Sequence, residues 1–371
     1  MPLAPLTVDS ALPYLRGRGM VTAADIVDGD VEIVDVGRRN QNLKVKLRRG
    51  GYLMKQPGRG EPGTEATVAI ESGFYHRVGH DPALAELARV VPRSHGFDEE
   101  RGVLVLELVA GTALWEHYAS SGGIAVETAA QLGRAIAIVH RVLRDGAAGE
   151  AEPEPPWVLG VHRPPAQALA YLSPAQLQVH RIAQRAGIGE QLDRLRSSWT
   201  GDTMIHDDLK GDNVLVVPGT PVTVQIVDWE LYRRGDPAWD VASLLRDAVE
   251  YWLGSVPFTG QSTPEDWLAR AGMQLGALHP AVRALWQAYR EEAGIDRAAA
   301  AAMFERIVGY TAARMIQAAH ELAVSGHEIP NRALALLQLA VNILGAPARA
   351  ALHVFGVPPG WTRRNDAAPA A

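Results

Sequence analysis

Apolar and polar positions alternate with period two near the start of the chain. Val31-Glu-Ile-Val-Asp-Val36, Leu43-Lys-Val-Lys-Leu47 and Tyr52-Leu-Met-Lys-Gln56 are separated by Gly37-Arg-Arg-Asn-Gln-Asn42 and by Gly50-Gly51. This pattern predicts a three-stranded antiparallel sheet made of two hairpins. Residues 7–17 read as a short helix capped by Thr7 or Asp9, with a second helical turn beginning at Thr22. A Gly/Pro stretch over 57–63 leads into a helix over 64–78, capped by Thr64 and carrying Val68, Ile70, Phe74 and Tyr75. The continuous apolar run Val103-Leu-Val-Leu-Glu-Leu-Val109 is a buried strand, and Ala110-Gly-Thr112 links it to the helical part of the chain.

Beyond residue 110 the period lengthens to that of helices. Residues 125–144 place Leu132, Ile136, Val139 and Leu143 on one stripe, and His140 on that helix reads as structural. A Pro/Glu-rich linker over 150–156 precedes two helices between 166 and 199, broken around Gly187-Ile-Gly189. Val214-Leu-Val-Val217, Pro218-Gly-Thr-Pro221 and Val222-Thr-Val-Gln-Ile-Val227 read as strand, turn and strand. Helices are expected over 239–253, 265–276, 280–293, 297–325 and 330–345, and the polar tail 362–371 is expected to fray. The expected architecture is α+β in two lobes: a small antiparallel β lobe over 1–110 and a mostly helical lobe over 111–371.

Composition narrows this picture modestly. With 47% hydrophobic and 21% charged residues, the 371-residue chain is of ordinary globular type and long enough for a large core. A net charge of -6 offers no footprint for nucleic acid or an anionic membrane, so neither is expected as a partner. The absence of cysteine excludes disulfides, thiolate nucleophiles and Cys-ligated zinc, and fits a reducing, cytoplasmic location. The start lacks a basic region followed by an apolar core, and no apolar run is long enough for a membrane span. Of 36 basic residues only Lys44, Lys46, Lys55 and Lys210 are lysines, so a lysine here is the exception.

The chemistry concentrates between residues 204 and 240. In the hairpin that begins after Asn213, the entry of one strand lies beside the exit of the other, which makes Asn213 and Asp228 neighbours. A carboxylate beside an amide oxygen is a donor set that Mg²⁺ accepts, with phosphate oxygens and waters completing the shell. Asp208, on the loop leading into the hairpin, is placed to orient a hydroxyl and accept its proton as it attacks a phosphate.

His206-x-Asp208-Leu-x-x-x-Asn213 with Asp228 further on resembles the catalytic and metal loops of the protein-kinase-like superfamily. Gly235-Asp-Pro-x-x-Asp240-Val-Ala is similar to the sequence of its aminoglycoside phosphotransferase and choline kinase branch. The resemblance implies that Asp208 is the catalytic base, that Asn213 and Asp228 bind Mg²⁺, and that Asp240 braces the catalytic loop through its backbone. It also implies that Lys55 reaches the phosphates of ATP, or of GTP, and that Glu71 pairs with Lys55. The first hairpin would cover those phosphates, with the amides of Asn40 and Asn42 substituting for a missing Gly-x-Gly-x-x-Gly pattern. The backbone from Glu107 to Val109 would bind adenine.

The expected activity is therefore ATP- and Mg²⁺-dependent transfer of phosphate to a hydroxyl. Two features complicate the acceptor. Asp207 stands where antibiotic phosphotransferases have glycine, and Lys210 makes the loop resemble that of Ser/Thr protein kinases, in which this lysine reaches the γ-phosphate. A small hydroxyl-bearing molecule is one acceptor. A Ser/Thr precursor peptide, phosphorylated for a partner lyase in lanthipeptide-type synthesis, is another. Only seven residues separate Asp228 from Asp236, too few for a protein-kinase activation segment. A third reading, of another class, is a catalytically silent nucleotide-binding module.

Overall fold

The computed structural model describes residues 5–29, 31–48, 50–58, 63–144, 152–258, 267 and 269–358. The chain divides into two compact units, one of residues 1–117 with 212–232 and one of residues 118–211 with 233–371. The hairpin that carries Asn213 and Asp228 thus belongs with the first unit, whereas the sequence pattern groups it with the helical lobe.

In the first unit, α1 (Val8–Gly17) is capped by Thr7 in a capping box with Ser10, and α2 (Ala23–Val27) by Thr22 in the same way. The strands β1 (Glu32–Asp35), β2 (Gln41–Leu47), β3 (Gly50–Gln56), β4 (Ser94–Asp98) and β5 (Val103–Glu107) form one sheet of order β1-β2-β3-β5-β4. The expected three-stranded sheet therefore has five strands, gaining the strand expected over 103–109, which becomes β5, and one unexpected strand, β4. β4 escaped notice because Ser94-His-Gly-Phe-Asp98 has no apolar alternation, and it joins the edge through pairing with β5.

Strand parity decides which chemistry faces which way. Leu43, Val45 and Met54 pack with Ala11 and Leu15 of α1 on one face, all fully buried. Burial of each larger side chain contributes about 1.5–3 kcal/mol. Lys55, one residue along β3, necessarily points to the other face. That face meets α3 (Thr64–His80), whose buried stripe of Thr64, Thr67, Val68, Glu71, Phe74 and Tyr75 repeats at helical spacing. The cap of α3 is Gly63, at φ 82°, rather than the expected Thr64, which is the first helical residue and donates to the Gly58 carbonyl. A 3-10 helix (Pro82–Arg89) connects α3 to β4, and β6 (Thr112–Ala113) pairs with β8 (Val214–Val217), which pairs with β9 (Thr223–Ile226).

After α4 (Leu114–Ser121), the second unit is built on helices: α5 (Val126–Val142), α6 (Ala166–Leu169), α7 (Pro174–Arg185), α8 (Gly189–Ser197), α9 (Pro237–Gly254), α10 (His279–Glu292), α11 (Arg297–Leu322), α12 (Asn331–Gly345) and α13 (Pro347–His353). A short antiparallel pair joins β7 (Thr203–Ile205), which leads into the loop over 206–211, to β10 (Arg233–Gly235). α5 packs closely on α10 because Gly133 has no side chain: a Cβ there would lie 2.2 Å from the Leu285 carbonyl oxygen. α9 opens on Pro237, with Asp236 accepting from the Ala238 amide at 2.9 Å.

Of the helix expected over 265–276, the described residues 267 and 269 are helical, whereas 270–274 are not and Leu275–Leu278 is a 3-10 turn; residues 265, 266 and 268 lie outside the described residues. Residues 59–62 and 150–151 of the expected linkers, and the tail 362–371, also lie outside them. Among the described residues, no single helix is long and apolar enough to cross a membrane.

Candidate functional site

Within the first unit, three of the expected residues come together. Lys55 Nζ lies 2.5 Å from Glu71 Oε2 and 2.5 Å from Asp228 Oδ1. Lys55 and Glu71 are buried, while the Asp228 side chain keeps about a third of its surface. Burial alone would lower the Lys55 pKa. Glu71 and Asp228 outweigh it and raise the pKa above the ordinary lysine value, so the ammonium persists. Glu71 also accepts a 3.3 Å hydrogen bond from the Trp229 amide, and the Trp229 ring stacks on Phe74 of α3 at 4.2 Å. The helix is thereby tied to the residue after Asp228.

Asp228 has a left-handed backbone, φ 69° and ψ 58°, which turns the chain sharply out of β9. The β8–β9 register sets Val214 against Ile226, and the Val227 amide donates to the Asn213 carbonyl at 2.9 Å. Asn213 and Asp228 therefore lie at the same end of the hairpin, as the strand–turn–strand pattern implied.

The first hairpin shows a different arrangement from the simplest expectation. Asn40 is buried, and its amide donates to Glu230 Oε2 at 2.8 Å, while Gln41 donates to Asp35 at 2.8 Å. Asn42 lies opposite Lys55 in the β2–β3 ladder. The amide oxygens of Asn40 and Asn42 are buried and meet no donor among the described residues. At the end of β5, the Glu107 amide donates to the Arg93 carbonyl, the Leu108 amide to the Gly51 carbonyl, and the Gly111 amide to the Val109 carbonyl. The Glu107 side chain is exposed.

In the second unit, Asp240 near the start of α9 accepts the amides of His206 at 2.7 Å and Asp207 at 3.0 Å. His140 on α5 adds a third contact, its Nε2 at 3.1 Å from Asp240 and its Nδ1 at 2.9 Å from the Tyr289 hydroxyl. Burial would raise the Asp240 pKa, but these donors overcome it and hold the carboxyl below the ordinary range. His140 is structural in this sense, as its helix position suggested.

Asp207 sits at φ 66°, a region that favours glycine. Its carboxylate compensates by a two-pronged pair with Arg233, at 2.6 and 3.2 Å, and Arg233 also donates to the Glu154 carbonyl. Asp208 is half-buried, with Lys210 Nζ 2.6 Å from its Oδ2. The two residues expected to act at the reacting atoms are thus ion-paired.

Sequence reasoning missed Asp247. Its Oδ2 accepts the Gly211 amide at 2.5 Å, and its Oδ1 lies 3.1 Å from Arg246. The signal was available: Asp247 lies seven positions, two helical turns, beyond Asp240, so both carboxylates occupy one face of α9. Arg233 was missed as well, because its pairing to Asp207 depends on the β7–β10 register rather than on sequence distance.

The profile of the phosphotransferase enzyme family matches residues 30–285. No curated protein matches the chain in sequence. Among solved structures, choline kinase from Cryptosporidium parvum Iowa II superposes with a TM-score of 0.57 at 10% identity, covering 94% of this chain and 98% of its own. An ethanolamine kinase from Plasmodium vivax gives 0.52 at 11%, covering 90% and 88%. The aminoglycoside phosphotransferase APH(4)-Ia, in a ternary complex with ADP and hygromycin B, gives 0.52 at 12%, covering 93% and 99%. At these identities the structures establish a shared kinase-like fold. Since the family profile spans well over half of the 371 residues, the chain belongs to the phosphotransferase enzyme family.

Proposed function

We propose that this phosphotransferase moves the γ-phosphoryl group of ATP onto the hydroxyl of a small molecule. The observation that carries the reading is the buried ammonium of Lys55 held at 2.5 Å from both Glu71 and Asp228. Asn213 and Asp228 would hold Mg²⁺. The fit rests on the donor set, an amide oxygen and a partly exposed carboxylate at one hairpin end, with hard oxygens only. Such an ion would neutralise charge on the phosphates.

Lys55 binds the donor phosphates as a fixed point charge, and Glu71 keeps its ammonium from swinging away. Asp208 accepts the hydroxyl proton as the oxygen attacks phosphorus, and Lys210, already paired to it, meets the charge on the transferring group. The segment from Glu107 to Val109 holds the adenine through its backbone. Phosphoryl transfer asks little covalent help of the protein, so orientation and fixed charge supply most of the rate. ADP in the APH(4)-Ia complex supports ATP as donor, and the choline, ethanolamine and aminoglycoside kinases support a small hydroxylated, amine-bearing acceptor. The precursor-peptide reading draws on the loop resemblance at Lys210 alone.

The test is a mass-spectrometric screen for an added phosphate on aminoglycosides, amino alcohols and Ser/Thr peptides, with ATP and Mg²⁺. Transfer to a small molecule, reduced roughly 10²- to 10⁴-fold in Asp208→Asn, is the expected result. Equal inertness of wild type and variant across the panel would overturn the assignment, and transfer to peptide alone would replace the acceptor.

A further inference from the structure

The catalytic loop, residues 206–211, is held at both ends by one helix. At its start, Asp240 takes the amides of His206 and Asp207. At its end, Asp247 takes the amide of Gly211, which is buried and would otherwise lack a partner from that helix. Seven positions on one helix face span about 10 Å along the axis, so the separation of the two anchors is set by helix geometry rather than by the loop. Lys210 precedes the second anchor directly, and its ammonium touches Asp208.

We infer that Asp247 is a positioning residue for phosphoryl transfer, anchoring the Gly211 amide and through it the Lys210–Asp208 pair. The inference rests on the reading of Asp208 as the base. Asp247 acts through the backbone and touches no substrate.

The two anchors differ in how firmly they hold charge. Burial pushes the Asp247 carboxyl up, to about 6, against the pull of Arg246. The groups that face it are Arg246 and Glu250 on α9, the Gly211 amide on the loop, Arg314 on α11 and Tyr118 on α4. Arg246 is itself shared, lying 3.1 Å from Glu250 as well. Acidification through that value neutralises Asp247 and weakens its bond to Gly211, so the second anchor loosens while the first still holds.

The experiment combines a structural and a kinetic readout on the full chain. With ¹⁵N-glycine labelling, and Gly211 assigned by its loss in Gly211→Ala, the amide resonance should lie downfield and titrate with a midpoint near 6. In Asp247→Asn it should move upfield and stay flat between about pH 5 and 8. In kinetics, Asp247→Asn should lower kcat roughly tenfold with acceptor KM nearly unchanged, and should remove the part of the acid limb that titrates near this value. Arg246→Met, which removes the cation that lowers the Asp247 pKa, should shift the Gly211 midpoint upward.

A Gly211 resonance at the same position in the wild type and in Asp247→Asn at pH 8 overturns the anchor. A kcat for Asp247→Asn equal to wild type overturns its positioning role. Should the wild type transfer phosphate to no acceptor, the proposed activity falls, whereas the shift of the Gly211 resonance in Asp247→Asn still decides whether the anchor exists.

Discussion

The lysine cluster of the first unit and the clamped loop of the second both keep carboxylates out of water, but they stabilise them with different donors. Glu71 and Asp228 share one side-chain cation, Lys55, with the Trp229 amide as an addition. Asp240 and Asp247 each combine a side-chain partner, His140 and Arg246, with backbone amides, two for the former and one for the latter. A side-chain cation held in place can also serve a ligand beside it, so the first arrangement suits phosphate binding. Backbone amides move only with the chain, so the second suits a scaffold. Burial alone does not decide charge either: Asp240 and Asp247 are both about 1% exposed, yet one is shifted down and the other up. The neighbours make the difference: Asp240 meets His140 and two amides, whereas beside Asp247 the charge of Glu250 works against the pull of Arg246.

The largest expected break in this comparison is Lys55→Met. It leaves Glu71 buried without its cation; burial already pushes that carboxyl up to about 7, so it escapes an unpaired charge only by taking up a proton, and breaking the pair costs about 3–5 kcal/mol, read from the midpoint of urea unfolding at pH 8. Adding Glu71→Gln should recover part of that loss, because the neutral amide carries no unpaired charge and needs no proton. A single variant no less stable than wild type would show that the cluster is not held by charge.

Asp240→Asn should cost less, about 1–3 kcal/mol, since the two backbone amides reach different carboxylate oxygens and in Asn one of those positions becomes an NH2 that cannot accept. It also sharpens the contrast through pH. The folded Asp240 pKa is depressed, so its contribution is complete above the ordinary carboxyl value of about 4 and is lost as pH falls through the lower folded value. Stability measured from about pH 5 downward should therefore fall more steeply in wild type than in Asp240→Asn.

Asp207→Gly is the smallest effect. The Asp207–Arg233 pair is about a quarter exposed on both sides and is worth about 0–1 kcal/mol, while glycine relieves a left-handed backbone by a similar amount. Thermal melting should shift by no more than a few degrees. A large loss would mean that Arg233 organises the loop far more than an exposed pair should.

The legibility of the chain tracked the range of the interactions. Helix periods and some helix starts were readable, as at Thr7, Thr22 and the stripe of α5, because they depend on residues within two turns of one another, although Gly63 rather than Thr64 caps α3. The approach of Asn213 to Asp228 was readable because a two-stranded hairpin has one simple register. The bracing role of Asp240 came from resemblance, and its seven-residue companion Asp247 could have been found by helix arithmetic. β4 could not, since its strand character comes from pairing with β5.

What the sequence determined by itself is local: the alternation that puts Lys55 opposite Met54, the helical stripe that includes Glu71, and the oxygen-bearing residues flanking one hairpin. Tertiary structure alone decided that Lys55 bridges Glu71 and Asp228, that Arg233 relieves Asp207, and that one face of α9 anchors both ends of a loop. Periodicity is written into neighbouring residues by backbone geometry. The partner of a buried charge is chosen by packing between segments distant in sequence, where burial penalises every unpaired arrangement.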